Sequence, residues 1–121
     1  MIRSVVIIED DFLNAMYLED ACLRFGYPVA GTASSADDAM DLIRRTMPDC
    51  LLVDVRLTGP RDGIDLVEEV RRERPGIRII FVTGSDEPST MVRIKATLPD
   101  GIIIKPTDPE QLRARLKEID V

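Results

Sequence analysis

Histidine is absent from this 121-residue chain. That removes the commonest general base, the commonest metal ligand and every histidine-based triad. Any chemistry has to come from carboxylates, lysine, hydroxyls or thiols. Cations are in deficit as well, with 16 Lys and Arg against 22 Asp and Glu and a formal net charge of −6. A phosphate backbone demands a basic face, so direct nucleic-acid binding is not expected. The basic runs are Arg44-Arg45 and Arg71-Arg72-Glu73-Arg74, and the second is interleaved with Glu68, Glu69 and Glu73. That interleaving reads as a solvated helix face. No apolar stretch approaches the ~20 residues of a membrane span. No secretory signal is visible either, since acids arrive at Glu9. Cysteine is limited to Cys22 and Cys50, both in apolar stretches. They read as two buried, reduced thiols, which fits a cytoplasmic protein.

What remains is enough for one packed domain, expected over residues 1–121, with 45% hydrophobic residues to supply its core. Ser4 to Ile8 is a short run rich in β-branched residues and reads as a buried strand. From Phe12 the period changes, with Leu13, Met16, Ala21 and Phe25 at helical spacing and Gly26 as a stop. Pro28 to Ala33 is a second, weaker strand. Ser34 or Ser35 caps a helix carrying Asp37 and Asp38 in its first turn and Ala36, Ala39, Met40 and Ile43 on its apolar face. Cys50 to Val53 is a third strand ending at Asp54. Ile64, Val67 and Val70 mark a third helix, closed by Pro75-Gly76. Arg78 to Thr83 is a fourth strand, and Asp86 to Leu98 a weakly patterned helix. Gly101 to Ile104 is a fifth strand. Asp108-Pro109-Glu110-Gln111 starts the last helix, with an Asp cap, Pro at the first position and Gln three after the cap. Leu112, Leu116 and Ile119 are its buried stripe. Near-continuous apolar strands alternating with amphipathic helices predict a doubly wound parallel α/β sheet.

In such sheets, sites form at the carboxyl ends of the strands. Strand one ends in Glu9-Asp10-Asp11, strand three in Asp54, strand four in Thr83-Gly84 and strand five in Lys105-Pro106. In the flavodoxin-like order 2-1-3-4-5 these four ends are neighbours. They would gather carboxylates, one hydroxyl and one ammonium. Packed carboxylates repel, and hard oxygen donors without His or Cys suit Mg²⁺. A carboxylate can accept a phosphoryl group. Phosphoryl transfer asks mainly for positioning and charge neutralisation. Each residue also has an ordinary explanation. Acids cap helices, Thr83 could be a plain strand residue, and Lys105 a solvated charge. Asp54 after an apolar strand is the hardest to dismiss, because burying a carboxylate is costly. A nucleotide-binding protein of this fold class is disfavoured, since no G-x-x-x-x-G-K-[ST] or G-x-G-x-x-G follows strand one.

With these residues in this order, the whole chain resembles the receiver domain of bacterial two-component response regulators. The resemblance implies a (βα)5 fold in the 2-1-3-4-5 order, with Asp54 as phosphoacceptor. It implies a Mg²⁺ site of Asp10, Asp54, the backbone carbonyl of Arg56 and, mainly through water, Glu9. It makes Thr83 the switch hydroxyl and Lys105 the family's lysine, with a cis Lys105-Pro106 bond. A partner histidine kinase or histidine phosphotransfer protein would donate the phosphoryl group. The chain would be a signalling phosphoacceptor rather than an enzyme, assisting its own phosphorylation and dephosphorylation, with Arg56 and Ser85 at positions that tune the latter. Output would pass through a protein-contact surface near Met91, Ile94 and Thr107, of which Met91 and Ile94 read as core residues. Ile102 and Thr107 stand where many family members carry aromatics, and the Asp54–Gly63 loop is one residue longer than the common form. Phe81-Val82-Thr83-Gly84 resembles a subfamily common in alphaproteobacteria, some of whose members work as stand-alone proteins in stress phosphorelays. The competing expectation is a receiver-like interaction module that works without phosphorylation.

Overall fold

In the computed structural model, which describes residues 1–120, five strands form one parallel sheet in the order β2-β1-β3-β4-β5. The chain alternates strictly: β1 Val5–Ile8, α1 Phe12–Arg24, β2 Val29–Ala33, α2 Ala36–Thr46, β3 Cys50–Val53, α3 Gly63–Glu73, β4 Arg78–Thr83, α4 Pro88–Ala96, β5 Gly101–Ile104 and α5 Pro109–Ile119. This is the flavodoxin-like (βα)5 architecture that the strand and helix pattern implies.

The apolar runs of β1, β3 and β4 look continuous in sequence because both sheet faces are covered. Along each strand the side chains nevertheless alternate between two cores. Val6, Ile8, Leu51, Val53, Ile79 and Phe81 join the core closed by α2, α3 and Ile94 of α4. Val5, Ile7, Cys50, Leu52, Ile80, Val82 and Ile103 join the core closed by α1 and α5. Both cysteines are buried and free.

Helix starts follow local chemistry. Asp11, Ser35 and Asp108 cap α1, α2 and α5 by accepting backbone N–H bonds. The reciprocal capping box forms at α3, where Asp62 accepts from Asp65 N–H and Asp65 accepts from Asp62 N–H. At α5, where the sequence pattern pointed to a box with Gln111, Asp108 bonds Glu110 N–H. α2 ends with Met47 in the left-handed region, φ 49°.

Two expectations need correction. The fourth helix is shorter than 86–98, starting at Pro88 and stopping at Ala96, and it buries only Ile94 fully. In α1 the inward residues are Ala15, Leu18, Ala21 and Cys22. Leu13 and Met16 instead face outward, 73% and 51% exposed, beside Phe12 at 74%. α1 is apolar on both sides, so periodicity alone could not choose its buried face.

Candidate functional site

Strand register assembles the site. Ile8 pairs with Val53, so the next residues, Glu9 and Asp54, emerge side by side from the sheet. Asp54 N–H donates to Ile8 O at 2.9 Å and Glu9 N–H to Ala33 O at 2.9 Å, extending the ladder past the strand ends. Across the sheet Thr83 pairs with Ile104, and Lys105 N–H donates to Thr83 O at 2.8 Å. The Lys105-Pro106 bond is cis.

Lys105 Nζ closes the cluster. It lies 2.6 Å from Glu9 Oε1 and 2.9 Å from Asp54 Oδ2. Glu9 and Asp54 are only 4% and 7% exposed. Their other oxygens accept backbone hydrogen bonds, Glu9 Oε2 from Asp11 N–H at 3.1 Å and Asp54 Oδ1 from Val55 N–H at 2.7 Å. A carboxylate offers about four acceptor positions, so lone pairs remain on both groups.

Asp10 completes a group with Glu9 and Asp54 in which one oxygen of each lies within 4.8 Å of the others, Asp10 on the open side. Three carboxylates against one ammonium leave two negative charges in a small volume. At an effective dielectric near 20, each carboxylate pair at that separation repels by roughly 3.5 kcal/mol. Burial, the largest cause, and the nearby Asp54 charge raise the Glu9 carboxyl above its ordinary value, against the hydrogen bonds from Lys105 and Asp11 N–H that lower it. For Lys105 desolvation works downward, but the hydrogen bonds to Glu9 and Asp54 outweigh it and the ammonium is held above its usual value. An all-oxygen, doubly negative, half-open cluster fits a hard divalent cation.

Thr83 is buried, and its Oγ1 accepts from Ser85 N–H at 3.1 Å. By the alternation along β4 it follows Ile79 and Phe81 onto the α3/α4 side of the sheet. A cleft of about 490 Å³ opens above Asp54, with Arg56, Thr83, Glu87, Thr90 and Lys105 on its walls. The sequence-predicted residues Glu9, Asp10, Asp54, Arg56, Thr83 and Lys105 therefore meet at one end of the sheet.

Sequence reasoning missed two neighbours. Gly63, at the start of α3, packs so close to the strand end that a Cβ there would overlap Asp54 O and come 2.8 Å from Val53 Cγ1. Its signal was the Asp62-Gly63 pair, which the sequence shows only as the end of the polar loop after Asp54. Tyr17 Oη donates to Thr107 O at 2.9 Å and ties the segment after Lys105 to α1. No sequence pattern announces that pairing across 90 positions. Of the residues near the expected contact surface, Ile94 is fully buried and Met91 packs partly buried on the same core, as does Ile102. The buried thiols take no part, burial pushing Cys22 up to about 12.

A family model for the response regulator receiver domain matches residues 5–117. The chain is 28% identical over 118 residues to the chemotaxis protein CheY of Thermotoga maritima, covering 97% of each chain. Among solved structures it superposes with TM-score 0.89 on the signal receiver domain of a modulated diguanylate cyclase from Desulfovibrio desulfuricans G20, at 29% identity over 98% of this chain and 93% of that one. A CheY-like receiver domain protein from Methanospirillum hungatei gives TM-score 0.88 at 26% identity, with the same coverages of 98% and 93%.

Proposed function

Because the chain belongs to the family of response regulator receiver domains and so to two-component signalling, we propose that it is a cytoplasmic phosphoacceptor in which Asp54 takes a phosphoryl group from a partner phosphohistidine. The observation that carries the reading is the Lys105 ammonium set between the buried Glu9 and Asp54 carboxylates, with Asp10 beside them.

A carboxylate attacks as an anion and calls for no general base, so the absence of histidine is no handicap. An Asp54 oxygen forms the new O–P bond as the P–N bond of the donor breaks, and the donor imidazole leaves with the electron pair. The product is an acyl phosphate. Lys105 stands within reach of both the acceptor and the incoming phosphoryl oxygens and offsets their charge. Mg²⁺ bound by Asp10, Asp54, the Arg56 carbonyl and, through water, Glu9 would neutralise phosphoryl oxygens. Thr83 would exchange its Ser85 bond for one to the phosphoryl group, and that exchange would carry the signal toward α4.

Incubation with acetyl phosphate and Mg²⁺, read by intact mass, tests this. A labile phosphate-sized gain, lost with EDTA and in Asp54→Asn, is the expected result. No gain from acetyl phosphate or from any phosphohistidine donor would transfer the assignment to a phosphorylation-independent interaction module.

The donor has to cover the rim of the site, and the adjoining face of α1 is uncovered. Phe12, Leu13 and Met16 start one residue beyond the Asp11 cap and face outward. An apolar helix face beside the acceptor suits a helical donor domain with an apolar flank around its histidine. Leu13→Glu combined with Met16→Glu is expected to slow transfer from a phosphohistidine donor by about tenfold or more, the scale of losing ~1.4 kcal/mol of interface. Labelling by acetyl phosphate, which needs no docking, should be unchanged. Equal loss with both donors would show that α1 acts through the fold instead.

A further inference from the structure

The α4 helix is held by few buried contacts. Ile94 is its one fully buried side chain, and its cap residue Glu87 makes no side-chain capping bond. One charged side chain of its own ties it to α3 and the α3 cap, while Arg71 of α3 bonds Leu98 O just past its end. Arg93 Nη1 lies 2.8 Å from Asp62 Oδ2, and Nη2 lies 3.4 Å from Asp62 Oδ1 and 3.4 Å from Asp65 Oδ1. Asp62 is the N-cap of α3 and the last residue of the loop that leaves Asp54. The next residue, Gly63, is wedged against the Asp54 carbonyl.

Two connections thus run from the acceptor to α4. One goes through Thr83, whose hydroxyl holds Ser85 N–H at the entry to α4. The other goes from Asp54 along its loop to the α3 cap and across to Arg93. The first must break when Thr83 turns to a phosphoryl group. The second is independent of Thr83 and anchors the middle of α4 where it rests now.

Resting on the phosphoacceptor reading, we propose that the Arg93 fork on Asp62 and Asp65 is an electrostatic clamp that holds α4 in its unphosphorylated position and so opposes the phosphorylated state. The groups facing Arg93 are Asp62, Asp65 and, at longer range, Glu68, all from α3 or its cap, so the clamp is a local contact between α3 and α4. The pair is part-exposed, with side-chain exposures of 47% for Arg93 and 28% for Asp62. Its effect is therefore a modest population shift of severalfold rather than an all-or-none lock.

Arg93→Gln and Asp62→Asn test it. Asparagine caps helices as well as aspartate, so Asp62→Asn removes the charge and keeps the cap. Hydrogen–deuterium exchange of the region 86–98 is followed in the free proteins. Calorimetric titration with beryllofluoride, an acyl-phosphate mimic, is done in saturating Mg²⁺. Both single variants should exchange this region several times faster and bind beryllofluoride about threefold more tightly than the wild type. The double variant should bind no more tightly than Arg93→Gln alone, because Asp62→Asn takes away nothing that the loss of Arg93 has left. A merely structural role would weaken binding or leave it alone. Unchanged exchange, unchanged or weaker affinity, or additive singles would overturn the clamp while wild-type binding stands. A wild type that binds no beryllofluoride overturns the phosphoacceptor reading, and the clamp falls with it.

Discussion

Lys105→Met should lose about 2–3 kcal/mol of folding stability near pH 8 in EDTA and take up phosphoryl groups from acetyl phosphate on the order of 10- to 100-fold more slowly. Methionine keeps the length of the side chain and removes its charge. Glu9 and Asp54 are then left buried side by side with no cation between them. Breaking a buried pair costs more than the pair is worth, because a stranded charge keeps its desolvation penalty. The figure is set below the full range for a buried pair because Lys105 is 21% exposed and water reaches its site.

The deficit should depend on pH in a stated direction. Glu9 titrates above its ordinary 4.5 in the fold. A group raised in this way contributes stability fully below 4.5 and loses it as the pH climbs through its folded value. Lys105 lowers Glu9, so its removal moves that loss further up the pH scale. The Lys105→Met deficit should therefore shrink toward pH 5 and widen toward pH 8. Lys105 itself is raised above 10.5, so the wild type alone should show a further loss of stability at alkaline pH beyond that value. Urea unfolding across pH 5 to 9 checks the first, and its extension beyond pH 10.5 checks the second. Equal stability of variant and wild type over the whole range would mean that the ammonium does not hold the two carboxylates.

Gly63→Ala should destabilise the protein by about 2–3 kcal/mol and depress phosphoryl uptake as well, although alanine is the better helix former. The helix gain is at most about 1 kcal/mol. Against it stands a methyl group placed onto Asp54 O and 2.8 Å from Val53 Cγ1, and backbone cannot swing aside as a flexible side chain does. Relief requires α3 to back away or the end of β3 to shift. The second moves the acceptor, and displacements near 1 Å at a reacting group cost on the order of 100-fold in rate. Gly76→Ala is the matched control, since a Cβ there meets nothing within 4 Å. Its stability and uptake should stay near wild type. If Gly63→Ala behaved the same way, α3 would not be packed on the acceptor strand end.

The sequence carried the strand ends clearly because parallel sheets put short apolar runs and their polar stops in plain view. Val53 then Asp54, and Ile104 then Lys105, mark where the apolar run ends and the site begins. What it concealed falls into two kinds. The outward face of α1 was hidden because Phe12, Leu13 and Met16 are as apolar as the inward Ala15, Leu18 and Cys22, so hydrophobicity had no contrast to report. The Gly63 contact, the Tyr17–Thr107 bond and the Arg93 fork were hidden because they join elements far apart in the chain through single side chains or a missing one. α4 was hard to delimit for a related reason. A helix with one buried residue has almost no apolar stripe to read.

The central claim is that the phosphoryl group resides on Asp54, and locating it chemically is the most direct test. After incubation with acetyl phosphate and Mg²⁺, borohydride reduces an acyl phosphate to the alcohol and converts a phosphorylated aspartate into homoserine. Peptide sequencing by mass spectrometry should then find homoserine at position 54, absent when EDTA is present. Homoserine at Asp10 or another carboxylate, or unmodified Asp54 in protein that carries the phosphoryl group, would contradict the account.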